Sequence, residues 1–420
     1  MDLDALRVPP EIRNYAKIED ENVLLRLEKW KNKALDTLAK LQTRVEELAK
    51  LALKEQADVI TAVAPLSAEA DWVPEETRSK ANEILDSAFP DPALALVTHI
   101  LQHNVRPIFR TNAHPSVNLD TGRKLPRPAG GPFASQDFYD AQGWKDQPGA
   151  WMVVFWCVKN IPSGGYEEIW HLVIPPVMTL LDDYEPQYKL CGLKIAIAML
   201  DHVPGSLLKR TGVDSLFSGA LGRAILVLDA PETPILLPST VSASLQLIKL
   251  TTEEESAERF NQLCALLGDS IVGSVWMYSS NRPDALLASI VALPPVFKML
   301  RVGCARYLKV LVAQLVFPLA PLEYQHTTLE LQLASLRALS ALFDACPQRI
   351  RHWSGTILNA VARCWVGVVE NPQGKHELRT ELQNVCRSLA VVCPELLQTE
   401  YPQVTALDEK IFTQLFTSRI

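Results

Sequence analysis

The sequence has few of the features by which secreted, membrane-spanning or nucleic-acid-binding proteins are recognised. Its start, MDLDALRVPPEIRNY, has no basic segment followed by an apolar core, so we expect no secretory signal. The longest uncharged stretch, residues 233–248, contains 16 residues, fewer than the ~18 to 20 that cross a bilayer. The net charge of −7 argues against a general phosphate-binding surface. We therefore expect a chain that binds neither membranes nor nucleic acid.

The cysteines also lack a pattern that would indicate chemistry. None of the eight has the C-x-x-C spacing of redox and zinc motifs. They are spread through apolar, helix-like contexts, which favours reduced side chains in a core. This usage predicts a protein of the cytoplasm and the nucleus.

Catalytic signatures are missing as well. The phosphate-binding patterns G-x-x-x-x-G-K-[ST] and G-x-G-x-x-G are absent, and so is the nucleophile elbow G-x-S-x-G. His99 and His103 have a helical spacing that can hold zinc, but the sequence offers no third ligand. In the Pro-rich stretch, His114 and Asp120 are the only candidates for a catalytic site, again without an obvious third member. The sequence therefore predicts a protein that is not an enzyme and has no metal or cofactor.

What is present indicates a folded, helical chain, with 48% hydrophobic and 21% charged residues. In the first region, residues 1–104, apolar residues repeat at heptad spacing: Ala34, Leu38, Leu41, Val45, Leu48 and Ala52. This repeat predicts one long helix over residues 22–54. We interpret it as a helix that packs on the chain's own body; a helix offered to a partner is the alternative.

The second region, residues 105–150, has six Pro and five Gly, which helices reject. It is predicted to be an ordered loop region. Its aromatic residues lie among basic ones: Phe109, Phe133, Phe138, Tyr139 and Trp144. One interpretation is an inert connector whose aromatics anchor it to its own scaffold, and the other is a binding loop. In the second case Gly122, Arg123, Trp144 and Lys145 are candidate partner-binding residues.

The third region, residues 151–420, has helical periodicity almost throughout. Candidate helices lie at about residues 167–182, 187–202, 253–268, 284–317, 326–345, 352–369 and 375–391. A capping-box spacing at residues 252–255 predicts a helix start just after Leu250. Residues 205–250 fit either a strand pair or helices joined by a loop, and we favour the helices. Two amphipathic helices end in Cys346-Pro347 and Cys393-Pro394, 47 residues apart. That offset is typical of the HEAT and armadillo repeats, at ~40 to 47 residues.

Residues 174–204, IPPVMTLLDDYEPQYKLCGLKIAIAMLDHVP, have the layout of one HEAT repeat. Pro175 or Pro176 bends helix A, and Asp183 and Lys189 have the spacing of the repeat's hydrogen-bond ladder. Gly192 indicates a close approach of two helices. The aspartate pair is therefore interpreted as structural rather than catalytic, and the predicted fold is an all-α solenoid of HEAT-like repeats.

The same block closely resembles the central block of the Tel-Two-interacting protein Two family. The residues that carry the resemblance are Pro175, Pro176, Asp182, Asp183, Tyr184, Lys189, Gly192 and Pro204. Upstream, the family's loop is matched at Arg106, Pro107, Phe109, Gly122, Arg123 and Pro128. The sequence GWKD then precedes the apolar helix AWMVVFWCV, with Gly143 where the family often has Pro. The resemblance covers roughly residues 105–215.

The resemblance implies a scaffold subunit of the TTT complex, a co-chaperone that works with the heat-shock chaperone machinery. Members of this family associate with two larger helical-repeat subunits and support the maturation of phosphatidylinositol-3-kinase-related kinases such as mTOR, ATM and ATR. We expect helix pairs within residues 327–420 to contact the larger partner. Another HEAT-repeat adaptor, such as a transport or phosphatase scaffold, is the alternative.

Overall fold

The structure is a computed structural model that describes residues 3–111, 113–129, 142–279, 281–320 and 327–416. Within these residues the chain forms helices joined by turns, and its one pairing of extended backbone is an isolated antiparallel bridge between Val117 and Lys124. The predicted all-α class is confirmed. Phe133, Phe138 and Tyr139 of the predicted loop lie outside the described residues.

The chain forms two compact units, Met1–Arg223 and Ala224–Ile420. The helices of the first unit are α1 (Glu21–Gln42), α2 (Val45–Leu48), α3 (Leu53–Val63), α4 (Glu75–Ala88), α5 (Leu94–His99), α6 (Arg106–Phe109), α7 (Ala150–Lys159), α8 (Tyr166–Leu181), α9 (Pro186–Leu200), α10 (Gly205–Thr211) and α11 (Val213–Ala224). A π-helical segment, Ile100–Val105, continues α5. Short 3₁₀ segments occur at Asp4–Leu6, Pro10–Lys17, Ala64–Ser67, Gly143–Asp146 and Ser163–Gly165.

The division differs from the predicted regions, whose boundaries lay near residues 104 and 150. The described part of residues 105–150 belongs to the first unit because its aromatic side chains are core residues. Phe109 and Trp144 are each 2% exposed, and their rings stack at a centroid distance of 5.7 Å. This segment is therefore tied to the helices around it.

The predicted long helix over residues 22–54 is wrong, because the chain turns twice within it. The α1 helix starts at an Asp20 cap, whose carboxylate accepts the Asn22 N–H at 2.8 Å, and it ends at Gln42. Arg44 then leaves the helical region, with φ −120° and ψ 21°. The apolar side of α1 packs against α4, as expected for a helix that covers the chain's own body.

The α8 and α9 helices form the hairpin that the HEAT-like block predicts. Pro175 and Pro176 both lie inside α8 and are buried. Gly192 faces the end of α8 so closely that a Cβ would lie 2.2 Å from the Leu181 nitrogen and 2.5 Å from the Leu180 carbonyl carbon. The glycine is what allows the two backbones to meet.

The second unit contains α12 (Thr233–Thr251), α13 (Ala257–Cys264), α14 (Trp276–Tyr278), α15 (Pro283–Val291), α16 (Leu293–Leu300), α17 (Leu308–Val316), α18 (Leu329–Ala345), α19 (Pro347–Ile350), α20 (Ser354–Glu370), α21 (His376–Val392), α22 (Glu400–Leu407) and α23 (Glu409–Phe416). The α18 helix is central: it packs against α15, α16 and α21, and its Leu336, Leu339 and Phe343 are fully buried. One apolar core extends from Ile225 to Leu415.

Two predicted helix boundaries in this unit are wrong for backbone reasons. The helix predicted to start after Leu250 begins at Ala257 instead, where the Ser256 side chain accepts the Arg259 N–H at 3.1 Å. Glu255, just before this cap, has a φ of 61° that a helix cannot contain. The helix predicted over residues 284–317 is interrupted by a 3₁₀ segment, Arg301–Tyr307, whose first residue has a φ of 50°.

By length and composition alone, the apolar segment Pro283–Leu319 is long enough to cross a membrane. Half of its most apolar window is buried inside the protein. Its α15 and α16 helices pack against α18, so this hydrophobicity is that of helices in a protein core.

We predict that Gly192→Ala destabilises the protein, although alanine has the higher helix propensity. The new Cβ would meet backbone atoms of α8, and overpacking of this kind lowers the unfolding free energy by about 1–3 kcal/mol. Urea denaturation measures the change. Gly222→Ala in α11 is the matched control, because a Cβ there meets nothing within 4 Å; it is expected to be neutral or stabilising. Equal losses in both variants would contradict the close-approach explanation.

Candidate functional site

A group of ionisable side chains is buried where the α8–α9 turn meets the segment around Gly143–Asp146. We call it the buried charge cluster, and its members are each exposed by less than a tenth: His114, Lys145, Asp182, Asp183 and Lys189. Such residues are almost never buried unless they are paired. Their partners therefore show what the cluster does.

The centre of the cluster is an ion pair between Lys145 and Asp183. The Lys145 Nζ lies 3.0 Å from Asp183 Oδ1 and 2.6 Å from Glu185 Oε1. Asp183 Oδ1 also accepts the backbone N–H of Glu185 at 2.8 Å. The side chains of Lys145 and Asp183 are 1% and 0% exposed, so solvent does not screen their attraction.

Aromatic rings surround the same ammonium group. The Lys145 Nζ lies 4.4 Å from the ring centroid of Tyr184, 4.7 Å from that of Tyr188 and 5.3 Å from that of Trp144. A desolvated cation over an aromatic face gains about 2 kcal/mol per good contact. Trp144 in turn meets Tyr188 edge to face at 4.9 Å. The cation is thus held by two carboxylates and three rings.

The pKa shifts follow from this burial. Burial raises the pKa of Asp183, and the Glu185 N–H and the Lys145 ammonium offset only part of that rise. Burial also acts to raise the pKa of Glu185, but its bond to Lys145 outweighs this and the pKa is lowered. The Lys145 ammonium group therefore offsets part of the cost of burying the Asp183 carboxylate.

Asp182 is paired separately, with residues from two other segments. Arg223 binds it with both ends of the guanidinium, Nε at 2.8 Å from Oδ1 and Nη2 at 2.7 Å from Oδ2. His114 Nε2 lies 3.1 Å from Oδ2, and its Nδ1 accepts the Ser116 N–H at 3.2 Å. The proton is therefore assigned to Nε2, which donates to the carboxylate. Burial would raise the pKa of Asp182, but His114 and Arg223 together lower it.

Lys189 has a different partner from the one its spacing predicts. Its Nζ donates to the carbonyl of Leu181, the last residue of α8, at 3.3 Å, whereas the direct ionic partner of Asp183 is Lys145. A cation at a helix C-terminus satisfies a carbonyl that has no partner within the helix. Burial lowers the pKa of Lys189.

The candidate partner-binding residues divide into buried and exposed ones. Trp144 and Lys145 are 2% and 1% exposed, so a partner does not reach them; this corrects their interpretation as contact residues. Gly122 has a φ of 66°, and a Cβ there would lie 2.8 Å from the Trp170 carbonyl oxygen, so it shapes the loop. Arg123 and Tyr184 are exposed.

The acid–base set considered from the sequence does not assemble. His114 faces Asp182, and the Asp120 side chain is 88% exposed and lies 3.6 Å from Arg106. His99 and His103 lie ring to ring at 4.4 Å, and no group of three or more metal-ligating side chains occurs in the described parts of the chain. The geometry that is present orders three chain segments around the α8–α9 turn.

We predict a strong energetic coupling between Lys145 and Asp183. Removing one member, as in Lys145→Met or Asp183→Asn, leaves the other buried without its partner, which costs about 3–5 kcal/mol of unfolding free energy. The double variant is expected to lose less than the sum of the single losses, by about 0.5–3 kcal/mol. Urea denaturation of the four proteins gives this coupling.

The exposed pair Arg337 and Glu377 is the matched control for that cycle. Its atoms are 2.6 Å apart, but its side chains are 55% and 60% exposed, so each single substitution is expected to cost about 0–1 kcal/mol. Additive losses in the Lys145–Asp183 cycle, or losses no larger than in the control, would show that the buried pair does not hold the segments together.

Comparison with solved structures shows the fold. Kap121p bound to Pho4p matches with a TM-score of 0.50 and 11% identity over 96% of this chain and 36% of that chain. A multiply substituted Kap121p matches with a TM-score of 0.52, 11% identity and the same coverage. The chain thus spans about a third of the length of Kap121p, a karyopherin built as a HEAT-repeat solenoid, and the predicted solenoid class is confirmed.

No curated protein matches the sequence. A family model does match: the Tti2 family, over residues 59–320. The matched range is more than half of the chain, and it contains the buried charge cluster and the hairpin that carry the sequence resemblance. The chain belongs to the Tti2 family.

Proposed function

We propose that this chain is a non-enzymatic scaffold subunit of the TTT co-chaperone complex, which supports the maturation and stability of phosphatidylinositol-3-kinase-related kinases of the mTOR, ATM and ATR class. The match to the Tti2 family over residues 59–320 carries this proposal. The partners we propose are the larger helical-repeat subunits of that complex and, through them, the heat-shock chaperone machinery and the kinases.

The chemistry of the buried charge cluster supports a scaffold. Asp182, Asp183 and Lys145 face one another or other side chains of the first unit, and they are covered from solvent. A catalytic acid or base must reach a substrate atom, and the side chains of Lys145 and Asp183 are too deeply buried to do so. Asp182 lines a cleft of about 390 Å³, but both of its oxygens are bound by Arg223 and His114. Their charges order the chain, so the function we propose lies in its surfaces.

Exposed apolar side chains near the C-terminus support the proposed contact with a larger subunit. Val391 is 80% exposed, Leu407 is 78% exposed and Leu397 is 57% exposed. Val391 lies in the last turn of α21, and Leu397 and Leu407 follow that helix, in a part of the helical-repeat array whose apolar face needs a cover. We propose that the larger subunit covers them.

We further propose that the protein resides in the cytoplasm and the nucleus. None of the eight cysteines forms a disulfide bond, and seven of them are buried. Reduced core thiols are typical of these compartments.

The proposed function predicts a stoichiometric complex. The tagged chain is expressed in cells of the organism from which it comes and recovered at moderate salt. It is expected to retain two larger helical-repeat proteins in amounts equal to its own, as measured by quantitative mass spectrometry. Retention of nuclear-transport factors or phosphatase subunits, without these two, would contradict the proposal and favour another kind of adaptor.

A second experiment locates the interface without disturbing the core. Deletion of residues 327–420 would remove α18 and much of the apolar core of the second unit, so surface substitutions are the better test. Val391→Asp with Leu407→Asp is expected to lower retention of the larger subunit by about tenfold, since a charge in an apolar contact is desolvated without a partner.

Val302→Asp is the control for that experiment, because Val302 is also a valine with an exposed side chain, 68% accessible, and lies outside residues 327–420. It is expected to leave retention unchanged. If the C-terminal double variant retains the partner at full stoichiometry, the interface lies elsewhere on the chain.

A further inference from the structure

A cleft of about 490 Å³ opens in the first unit beside the N-terminal segment. We call it the N-terminal cleft. Five segments form its walls: the residues around Asp4–Leu6, the α3 helix, the π-helical segment Ile100–Val105, the turn after Gly143–Asp146, and the start of α7. Its volume lies within the ~300–1,000 Å³ of protein ligand sites.

The floor of the cleft is apolar and fixed by close packing. Leu6, Val105 and Val153 line it and are buried. Gly149 brings the start of α7 against the wall so closely that a Cβ would lie 2.4 Å from Pro65 Cβ. Close backbone packing therefore fixes the shape of the cleft. An apolar side chain of a ligand would bury its surface against this floor.

The rim of the cleft is acidic. Asp4, Asp58 and Asp146 line it, and among the described lining residues Arg7 is the one cation. Asp58 and Asp4 are exposed. Asp146 forms an ion pair with Arg13 at 3.8 Å, and the Asp146 side chain is 70% exposed. An excess of carboxylates around an apolar floor favours a ligand that carries a positive charge next to apolar groups.

Asn104 adds a polar side chain to the wall of the cleft, from the π-helical segment. Such π-helical turns are frequent at functional sites.

We propose that the N-terminal cleft binds a segment of a partner polypeptide in which one Lys or Arg lies next to Leu or Phe side chains. The apolar side chains occupy the floor, and the cation faces the three aspartates. The choice of a polypeptide rests on the proposed function, in which this chain acts through protein contacts. An acidic segment is excluded from the cleft by the same charges.

Short synthetic peptides test this proposal with the full-length chain. Three fluorescein-labelled pools have the same Leu and Phe positions and differ at one site, which is Lys, Glu or Gln. Fluorescence anisotropy is expected to give at least about tenfold tighter binding for the Lys pool than for the Glu pool, and this preference is expected to weaken with salt. Equal binding of the pools, or a preference for Glu, would overturn the proposal.

Variants then locate the binding. Asp58→Lys changes an exposed rim residue and is expected to remove the preference for the Lys pool, whereas Asp86→Lys makes the same change on the exposed face of α4, outside the cleft lining, and should not alter it. Ala62→Trp fills the cleft and is expected to abolish binding of all pools. Unchanged binding of the Lys pool by Asp58→Lys and Ala62→Trp would place the site elsewhere and overturn the proposal.

Two further outcomes separate this inference from the proposed function. If octylammonium binds as tightly as the Lys pool, the ligand is a small amphiphile, and the inference is overturned. It is also overturned if sedimentation shows a concentration-dependent dimer that Ala62→Trp abolishes, because the occupant is then a second copy of the chain. The pull-down of the larger subunits does not depend on these results. Its failure contradicts the proposed function, whereas failure of the peptide pools alone contradicts only the cleft assignment.

Discussion

The first unit depends on one buried ion pair, between the Lys145 ammonium group and the Asp183 carboxylate. Moving Lys145 and Asp183 out of water costs several kcal/mol for each ion, and the Glu185 carboxylate and backbone N–H, with three aromatic rings, offset that cost. Because each charge is tolerated only with its partner, the segment around Gly143–Asp146 and the α8–α9 turn cannot separate without exposing both. The described end of the loop, residues 142–149, is thereby tied to the α8–α9 hairpin.

The same logic extends to the neighbouring groups. Arg223 and His114 fix Asp182 from two further segments, and Lys189 satisfies the end of α8. In this site the charges pair with one another or with backbone groups of the chain. This is why we assign the aspartate pair of the sequence to architecture, and why the proposed contacts are placed on the exposed apolar residues and, separately, in the acidic cleft.

Helical periodicity predicted the positions of α8, α9, α18, α20 and α21 to within a few residues, because each has an apolar side that local spacing reveals. The pairing of Lys145 with Asp183 was not predictable, since the two lie 38 residues apart and no local pattern links them. Arg223 was missed for the same reason, at 41 residues from Asp182. The predicted helix start near residue 251 was wrong because Glu255 takes an unusual φ. The predicted long helix was wrong because the heptad spacing of apolar residues continues across the turn that ends α1.

Hydrogen–deuterium exchange of Lys145→Met measured against the unaltered protein tests the central claim most directly. If the buried pair holds the loop to the hairpin, amide protection falls in residues 142–149 and 182–189, whereas the amides of α18 and α21 in the second unit keep their exchange rates. Unchanged protection at residues 142–149 and 182–189, in a variant that has lost the ammonium group, would contradict the account.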